Sequence, residues 1–378
     1  MIPKPCKYIL IYFYAITCFE GSGQGAINPK NIVDFNLAVK FLDTNPNKSV
    51  ILLTKLSELG DPNGMCLLAE LHLEGKVVEK NHAKAVALLE MAAKQNSANA
   101  LNCIGVLYNK GQGFEQDTKI ANTHFLKAAK MGHELAQYNL AKAYNLGNGV
   151  NKDLVEAVYW YKKGAIQGHA DSQIELGKLY SLKQPEESFR WMRRAADNGH
   201  PAAQFETASL YLAGKGVPLN PSNAFEYFKL AADQGHPDGL FQAGIMLYDG
   251  YGVERDRQSG IGLVKKAANL GCQDAAKTLP ALSLEKFDLQ AYLNRAAKGD
   301  VNSMINLGWN YLKGEQSEKD KVESYAWFNL AAKLTGENKN IWVRSFIAEQ
   351  LDVEQIIKGK RRSNQIAAIY GLKEPSEK

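Results

Sequence analysis

Residues 144–165 read YNLGNGVNKDLVEAVYWYKKGA. The stretch holds a glycine loop (Gly147-Asn148-Gly149-Val150), an acid just beyond it (Asp153), and an amphipathic run closed by two small residues (Gly164-Ala165). In such a loop positive φ is cheap, so one helix stops there. The Asp153 oxygen is placed to accept from free N–H groups at the start of the next helix. Working outward, the small pair returns at Ala92-Ala93, Ala128-Ala129, Ala195-Ala196, Ala231-Ala232, Ala267-Ala268, Ala296-Ala297 and Ala331-Ala332, with steps of 36, 36, 31, 36, 36, 29 and 35 residues along the whole series. A glycine series (Gly75, Gly111, Gly147, Gly214, Gly250) keeps the same phase. Two independent series that stay in phase mark an internal repeat.

Each period reads as two helices. The first carries apolar residues at helical spacing, as in Ile104, Leu107 and Tyr108, or Leu176, Leu179 and Tyr180. Asn81, Asp117, Asp153, Asn220 and Asp256 fall in one register as caps of the second, and Pro221 follows Asn220 where a first-turn proline belongs. Trp160, Trp191, Tyr227, Leu263 and Trp327 share a slot four residues before the small pair and are expected in the core, while Gly132, Gly168, Gly199, Gly235 and Gly271 end the unit.

Taken together, Tyr144, Gly149-Val150, Asp153, Ala157, Trp160 and Gly164-Ala165 resemble the Sel1-like repeat, a relative of the tetratricopeptide repeat. The resemblance covers residues 62–336 in about eight units and implies an all-α, right-handed α–α superhelical solenoid. Unit four is clipped between Tyr180 and Pro185, and unit seven, around Thr278 to Gly299, lacks a first-helix signature. Residues 27–61 are expected as a degenerate amino-terminal cap. Residues 337–378 are expected as a helical cap and tail, because a solenoid unit buries its apolar face only against neighbours.

Composition narrows the classes. Of 378 residues, 45% are hydrophobic and 22% charged, with 32 glycines and 12 prolines. That is soluble-globular usage, not disordered, collagen-like or polytopic membrane usage. Lys and Arg number 45 against 40 Asp and Glu, for a net +5, too even for the basic face that nucleic acid demands. Five cysteines are too few for a disulfide-dense scaffold. At the start of the chain, Lys4 and Lys7 precede an apolar run from Tyr8 to Phe19, with small residues up to Ala26. Three readings stand: a cleaved export signal over residues 1–26, an uncleaved anchor, and a buried helix. The layout favours the first, and the run is too short to span a bilayer. Cys18 is a poor lipoprotein site because Thr17 precedes it.

No catalytic residues, cofactor site or metal site emerge. His133, His169, His200 and His236 occupy one repeat slot, taken by Cys272 in the next unit. One such side chain per repeat is too far from its neighbours to share an ion, so a structural role at the turn is expected. His133-Glu134-Leu135-Ala136-Gln137 has Gln where a zinc-protease motif needs its second ligand. Gly214-Lys215-Gly216-Val217 lacks the spacing of a phosphate loop. Cys66, Cys103 and Cys272 read as buried thiols, with a Cys66–Cys103 bridge left open. Two basic clusters, Arg190-Arg193-Arg194 and Lys358-Lys360-Arg361-Arg362, read as solvated faces, with an anionic partner as the alternative.

If the first helices line the concave face, as the resemblance implies, spacing selects an exposed stripe. Positions −2, +1 and +5 relative to Gly105 and its equivalents share a face. They supply Glu70, Glu74, Asn139, Lys142, Glu175, Lys178, Glu206, Ser209, Gln242, Asp249, Asn306, Trp309 and Lys313. Trp309, if exposed, is a natural anchor; the other reading packs it under the carboxy-terminal cap. The resemblance implies a non-enzymatic scaffold, exported by a bacterium, that binds a protein or peptide in this groove. A host protein is the partner expected by analogy, with host-cell entry or altered vesicle trafficking as the outcome. A scaffold for envelope or polysaccharide assembly is the first alternative. A cell-wall or β-lactam hydrolase is the second, weakened by the absence of a nucleophile–base pair.

Overall fold

The computed structural model describes residues 29–284, 288–314 and 319–372. The expected export signal over residues 1–26 lies outside them. The described residues form helices and connecting turns, with no strand among them. In chain order the helices are α1 (Pro29–Thr44), α2 (Pro46–Glu58), α3 (Pro62–Glu74), α4 (His82–Lys94), α5 (Ala98–Lys110), α6 (Thr118–Lys130), α7 (Glu134–Leu146), α8 (Leu154–Ile166), α9 (Ala170–Tyr180), α10 (Pro185–Asp197), α11 (Pro201–Ala213), α12 (Pro221–Asp233), α13 (Pro237–Asp249), α14 (Arg257–Asn269), α15 (Gln273–Leu284), α16 (Leu289–Ala296), α17 (Val301–Lys313), α18 (Lys321–Thr335), α19 (Asn338–Ala348) and α20 (Val353–Tyr370). They fall into two compact units, residues up to Leu179 and residues from Tyr180 onward.

The repeat follows from its end signals. First helices stop at a left-handed glycine, as at Gly111 (φ +66), Gly147 (φ +75) and Gly250 (φ +71). Asp117 and Asp153 each accept from two backbone N–H groups of the following second helix, while Asn81, Asn220 and Asp256 accept from one. The histidine slot starts the next first helix. The Nδ1 atoms of His133 and His236 accept from the N–H of Ala136 (3.2 Å) and Gly239 (3.1 Å), and His169 Nδ1 accepts from Ser172 N–H at 3.2 Å. The ring is therefore a cap that needs its neutral form.

Small residues let the two helices of a pair close up. A Cβ at Gly105 would stand 2.7 Å from the Phe125 ring, and one at Gly308 2.8 Å from the Phe328 ring. Ala92, Ala128, Ala195, Ala231 and Ala267 are fully buried. Trp160, Trp191 and Trp327 are buried in their shared slot, while Tyr227 and Leu263 are half-buried.

Irregular units have local causes. The irregular seventh unit holds two helices, α15 with Pro280 inside it and α16 of only 8 residues. After the last repeat, α20 packs on α18 through Arg362–Glu323 contacts of 2.8 and 3.2 Å and an Asn329–Ser363 hydrogen bond of 3.1 Å. Lys358 pairs with Glu354 at 2.7 Å, so part of the carboxy-terminal basic cluster is neutralised within the chain. Arg190 and Arg193 likewise pair with Glu187 (2.6 Å) and Asp197 (3.5 Å) on their own helix, and Arg194 lies over the Trp191 ring.

Candidate functional site

The stripe selected by spacing is polar in the first unit. Glu70 and Glu74 stand one turn apart on α3, and Glu74 pairs with Lys76 at 3.1 Å. The Cys103 thiol lies 4.0 Å from Glu70 Oε1 on the neighbouring first helix. Burial, reinforced by the Glu74 charge, pushes the Glu70 carboxyl up to about 7. Burial also drives the Cys103 thiol well above its ordinary range, with Glu70 and Cys66 adding to the effect. Such a thiol is a poor nucleophile. Cys66 and Cys103 are not joined by a disulfide, so the bridge left open by the sequence is not formed.

Further along this unit, Asn139 Nδ2 donates to Asn102 Oδ1 at 3.0 Å, joining α7 to α5. Lys142 is exposed. Glu175 and Lys178 form an ion pair of 2.7 Å on α9. Glu74, Lys142 and Lys178 are exposed, and Glu70, Asn139 and Glu175 are half-buried. The face thus presents both signs of charge and amide groups, which suits hydrogen-bonded recognition of a peptide.

In the second unit the stripe divides. Glu206 is exposed, and Ser209 and Gln242 are half-buried; Ser209 Oγ donates to Phe205 O at 3.0 Å. The remaining four candidates are engaged inside the fold. Trp309 is 1% exposed, packs edge-on against Phe328 and donates its Nε1–H to Asp249 O at 3.1 Å. This corrects the reading of Trp309 as an exposed anchor: α19 covers it, placing Val343 and Ile347 in the same cluster. Asn306 is buried and accepts from Arg255 and, at 2.6 Å, from Arg257. Lys313 donates to Arg255 O, and Asp249 pairs with Lys339. Arg255, Lys339 and Trp342, which stands edge-on to Tyr251, are the residues that spacing missed. None belongs to the repeat pattern that selected the stripe.

Among the described residues, no three His, Cys, Asp or Glu side chains group as metal ligands, and no helix is long and apolar enough to cross a membrane.

The Sel1 repeat family model matches residues 62–97, 98–133, 135–169, 170–200, 201–236, 237–272 and 301–335, which is more than half of the chain. The unmatched interval between residues 272 and 301 holds α15, with Pro280 inside it, and α16. Among solved structures, a protective antigen of uropathogenic Escherichia coli with a Sel1-like repeat fold is similar at 24% identity and a TM-score of 0.54, over 97% of this chain and 83% of that one. That likeness concerns the fold alone. A Sel1 repeat protein from Oxalobacter formigenes is 29% identical over 70% of this chain and 96% of that one, with a TM-score of 0.48. No curated protein sequence matches the chain. Sel1 repeats serve as protein-interaction scaffolds, and their fold is generally non-catalytic. On the seven matched repeats and the helix-pair architecture, the chain belongs to the Sel1 repeat family.

Proposed function

We propose that the chain is a non-enzymatic adaptor, exported through residues 1–26, that binds a partner protein or peptide on the polar face of its first helices. One contrast carries this reading. Equivalent positions of that face hold Cys103, Asn139, Glu175, Glu206 and Gln242, while the slots facing the second helices keep to glycine and alanine. A surface whose backbone is held constant while its side chains differ from repeat to repeat is suited to reading a specific partner. Within this reading the partner is a host protein, and the outcome is host-cell entry or altered vesicle trafficking, by analogy with exported family members.

The test has two parts. A producing culture is fractionated with and without host cells, and the recovered protein is sequenced from its amino terminus. Processed protein in the medium or host fraction supports the proposal; processed protein confined to the envelope favours assembly work there, and unprocessed cytosolic protein refutes export. Affinity capture from host extract is then compared between the native chain and an Asn139→Ala/Glu175→Ala variant of unchanged helical content. A partner retained equally by both would rule out this face.

A further inference from the structure

Helix α8 differs from the other second helices on its outward side. Counted from the N-cap, the second, sixth and thirteenth residues of a second helix share one face. In α8 they are Val155, Tyr159 and Ile166, exposed by 79%, 49% and 65%. The same places hold Lys119, Thr123 and Lys130 in α6, Glu186, Arg190 and Asp197 in α10, and Ser222, Glu226 and Asp233 in α12. In α14 they hold Gln258, Gly262 and Asn269, and in α4 Ala83, Ala87 and Lys94. Leu154, also half exposed, extends the patch towards the start of the helix. A single exposed apolar side chain means little. A row that breaks the pattern of five sister helices needs a reason.

The surroundings of the row are cationic. Helix α6 is tied to the loop before α8 by the Asn122 Nδ2–H···O=C Asn148 bond of 2.7 Å, and Gly149 lies against the Thr118 backbone. Lys119, Lys127 and Lys130 on the α6 side and Lys152, Lys162 and Lys163 around α8 are all exposed. Lys163 lies over the Tyr159 ring, 5.6 Å from its centroid. The carboxylates Asp117, Asp153 and Glu156 keep their charge but are outnumbered by these six lysines. Asp117 and Asp153 cap their helices, and Glu156 accepts from Trp160 Nε1 at 3.0 Å. Among the described residues of this unit, the ion pairs Lys55–Asp34, Lys76–Glu74 and Lys178–Glu175 involve none of these six lysines.

We propose that the outward face of α6 and α8 is a second docking surface, and that its occupant is an acidic amphipathic helix of a partner protein. The occupant lays apolar side chains along Val155, Tyr159 and Ile166 and turns carboxylates towards the lysines. The same face of a second copy is the wrong complement, because it would set lysines against lysines. The apolar row runs about 17 Å along a single helix ridge, the size of a helix–helix contact. A bilayer would need a continuous apolar face across both helices, whereas the places on α6 that match the row hold Lys119, Thr123 and Lys130, with Ile120 and Met131 as its exposed apolar side chains. This surface is separate from the first-helix face, so the adaptor would hold two partners at once.

Fluorescence anisotropy on the full chain tests it. The probes are a labelled helical peptide of about five turns with leucines at heptad a and d positions and glutamates elsewhere, its lysine counterpart, and vesicles of phosphatidylcholine with phosphatidylglycerol. The acidic peptide is expected to bind at least about tenfold more tightly than the lysine peptide, and to weaken as salt rises from about 50 to about 300 mM. Val155→Ser/Ile166→Ser and Lys127→Glu/Lys163→Glu should each weaken it about tenfold or more, with helical content unchanged. Asn139→Ala/Glu175→Ala should leave it unchanged, so this proposal and the first-helix face fail independently. Equal affinity for both peptides, wild-type affinity in either double variant, or binding to the vesicles alone would each overturn the proposal.

Discussion

Replacing Gly216 by alanine asks why the loop after a first helix carries two glycines. The first, Gly214 (φ +62), ends α11. Gly216 (φ +74) has a second duty, because a Cβ there would fall 2.0 Å from Pro185 O and 2.4 Å from its carbonyl carbon, at the start of the preceding second helix. A Cβ on Gly252 would likewise fall 2.3 Å from Pro221 O, and one on Gly149 2.7 Å from the Thr118 carbonyl. Gly235 is the natural control: its φ is +80, yet nothing lies within 4 Å of a Cβ. Both substitutions incur the left-handed cost of about 1–2 kcal/mol. Only Gly216→Ala must also push a loop off a helix backbone, an overpacking cost of about 1–3 kcal/mol or more. We therefore expect Gly235→Ala to lose about 1–2 kcal/mol and Gly216→Ala about 2–5 kcal/mol. Urea unfolding followed by far-ultraviolet circular dichroism measures both. Amide hydrogen exchange over α10 and α11 should show the added loss to be local, since repeats couple mainly to their neighbours. Equal destabilisation of the two variants would refute close approach as the reason for the second glycine.

Three further outcomes follow from the packing. Burial, with His169 nearby, holds the His133 ring at about 4 against an ordinary 6.5. The folded chain favours the neutral cap, so its contribution is complete above pH 6.5 and is lost as pH falls towards 4, by up to about 3 kcal/mol. His133→Asn keeps a capping oxygen and should flatten that part of the acid unfolding profile; an unchanged profile would count against the cap. Glu70, raised from 4.5 to about 7, favours its protonated form when folded, so stability is complete below pH 4.5 and falls as pH rises through 7. Glu70→Gln should gain about 1–3 kcal/mol over the native chain at pH 8 and nothing at pH 4, read from urea midpoints. Trp309→Ala should cost about 3–5 kcal/mol by emptying a core site. That loss appears as a lower thermal midpoint, and partner affinity of the folded protein should not change.

The fold was legible because the signals that end each helix recur in phase. Asp117, Asp153 and Asp256 cap where the spacing placed caps, and Gly111, Gly147 and Gly250 take the left-handed conformation. The second glycine of the loop was visible only as a recurring letter. Its cause, backbone approach to the previous repeat, needs coordinates. The histidine slot was read as a structural turn, but the ring nitrogen as an N-cap acceptor was not foreseen, since histidine is an uncommon cap. For the candidate binding residues, spacing assigns side chains to one helix face. Whether that face is open depends on what covers it, and the repeat pattern carries no such information.

Periodicity reports what a residue does within its repeat and against the next one. The Lys339–Asp249 contact spans 90 residues, more than two repeat steps, and Arg255 reaches Asn306 across 51. The first joins α19 to a first helix of the array, and the second bridges the repeats on either side of the interval that holds Pro280. Helix α19 packs over Trp309 and Leu312, and its Lys339 meets Asp249. Arg255, Asn306 and Lys313 satisfy one another beside it, so their polar groups are spent on closing the end of the unit. A partner at this face would have to displace those bonds and gain more than they supply, a requirement that Asn139, Lys142 and Glu175 in the first unit do not impose to the same degree. The face available for recognition in the second unit therefore stops at Gln242, and binding there should depend on Glu206 and Gln242 and be indifferent to Lys313.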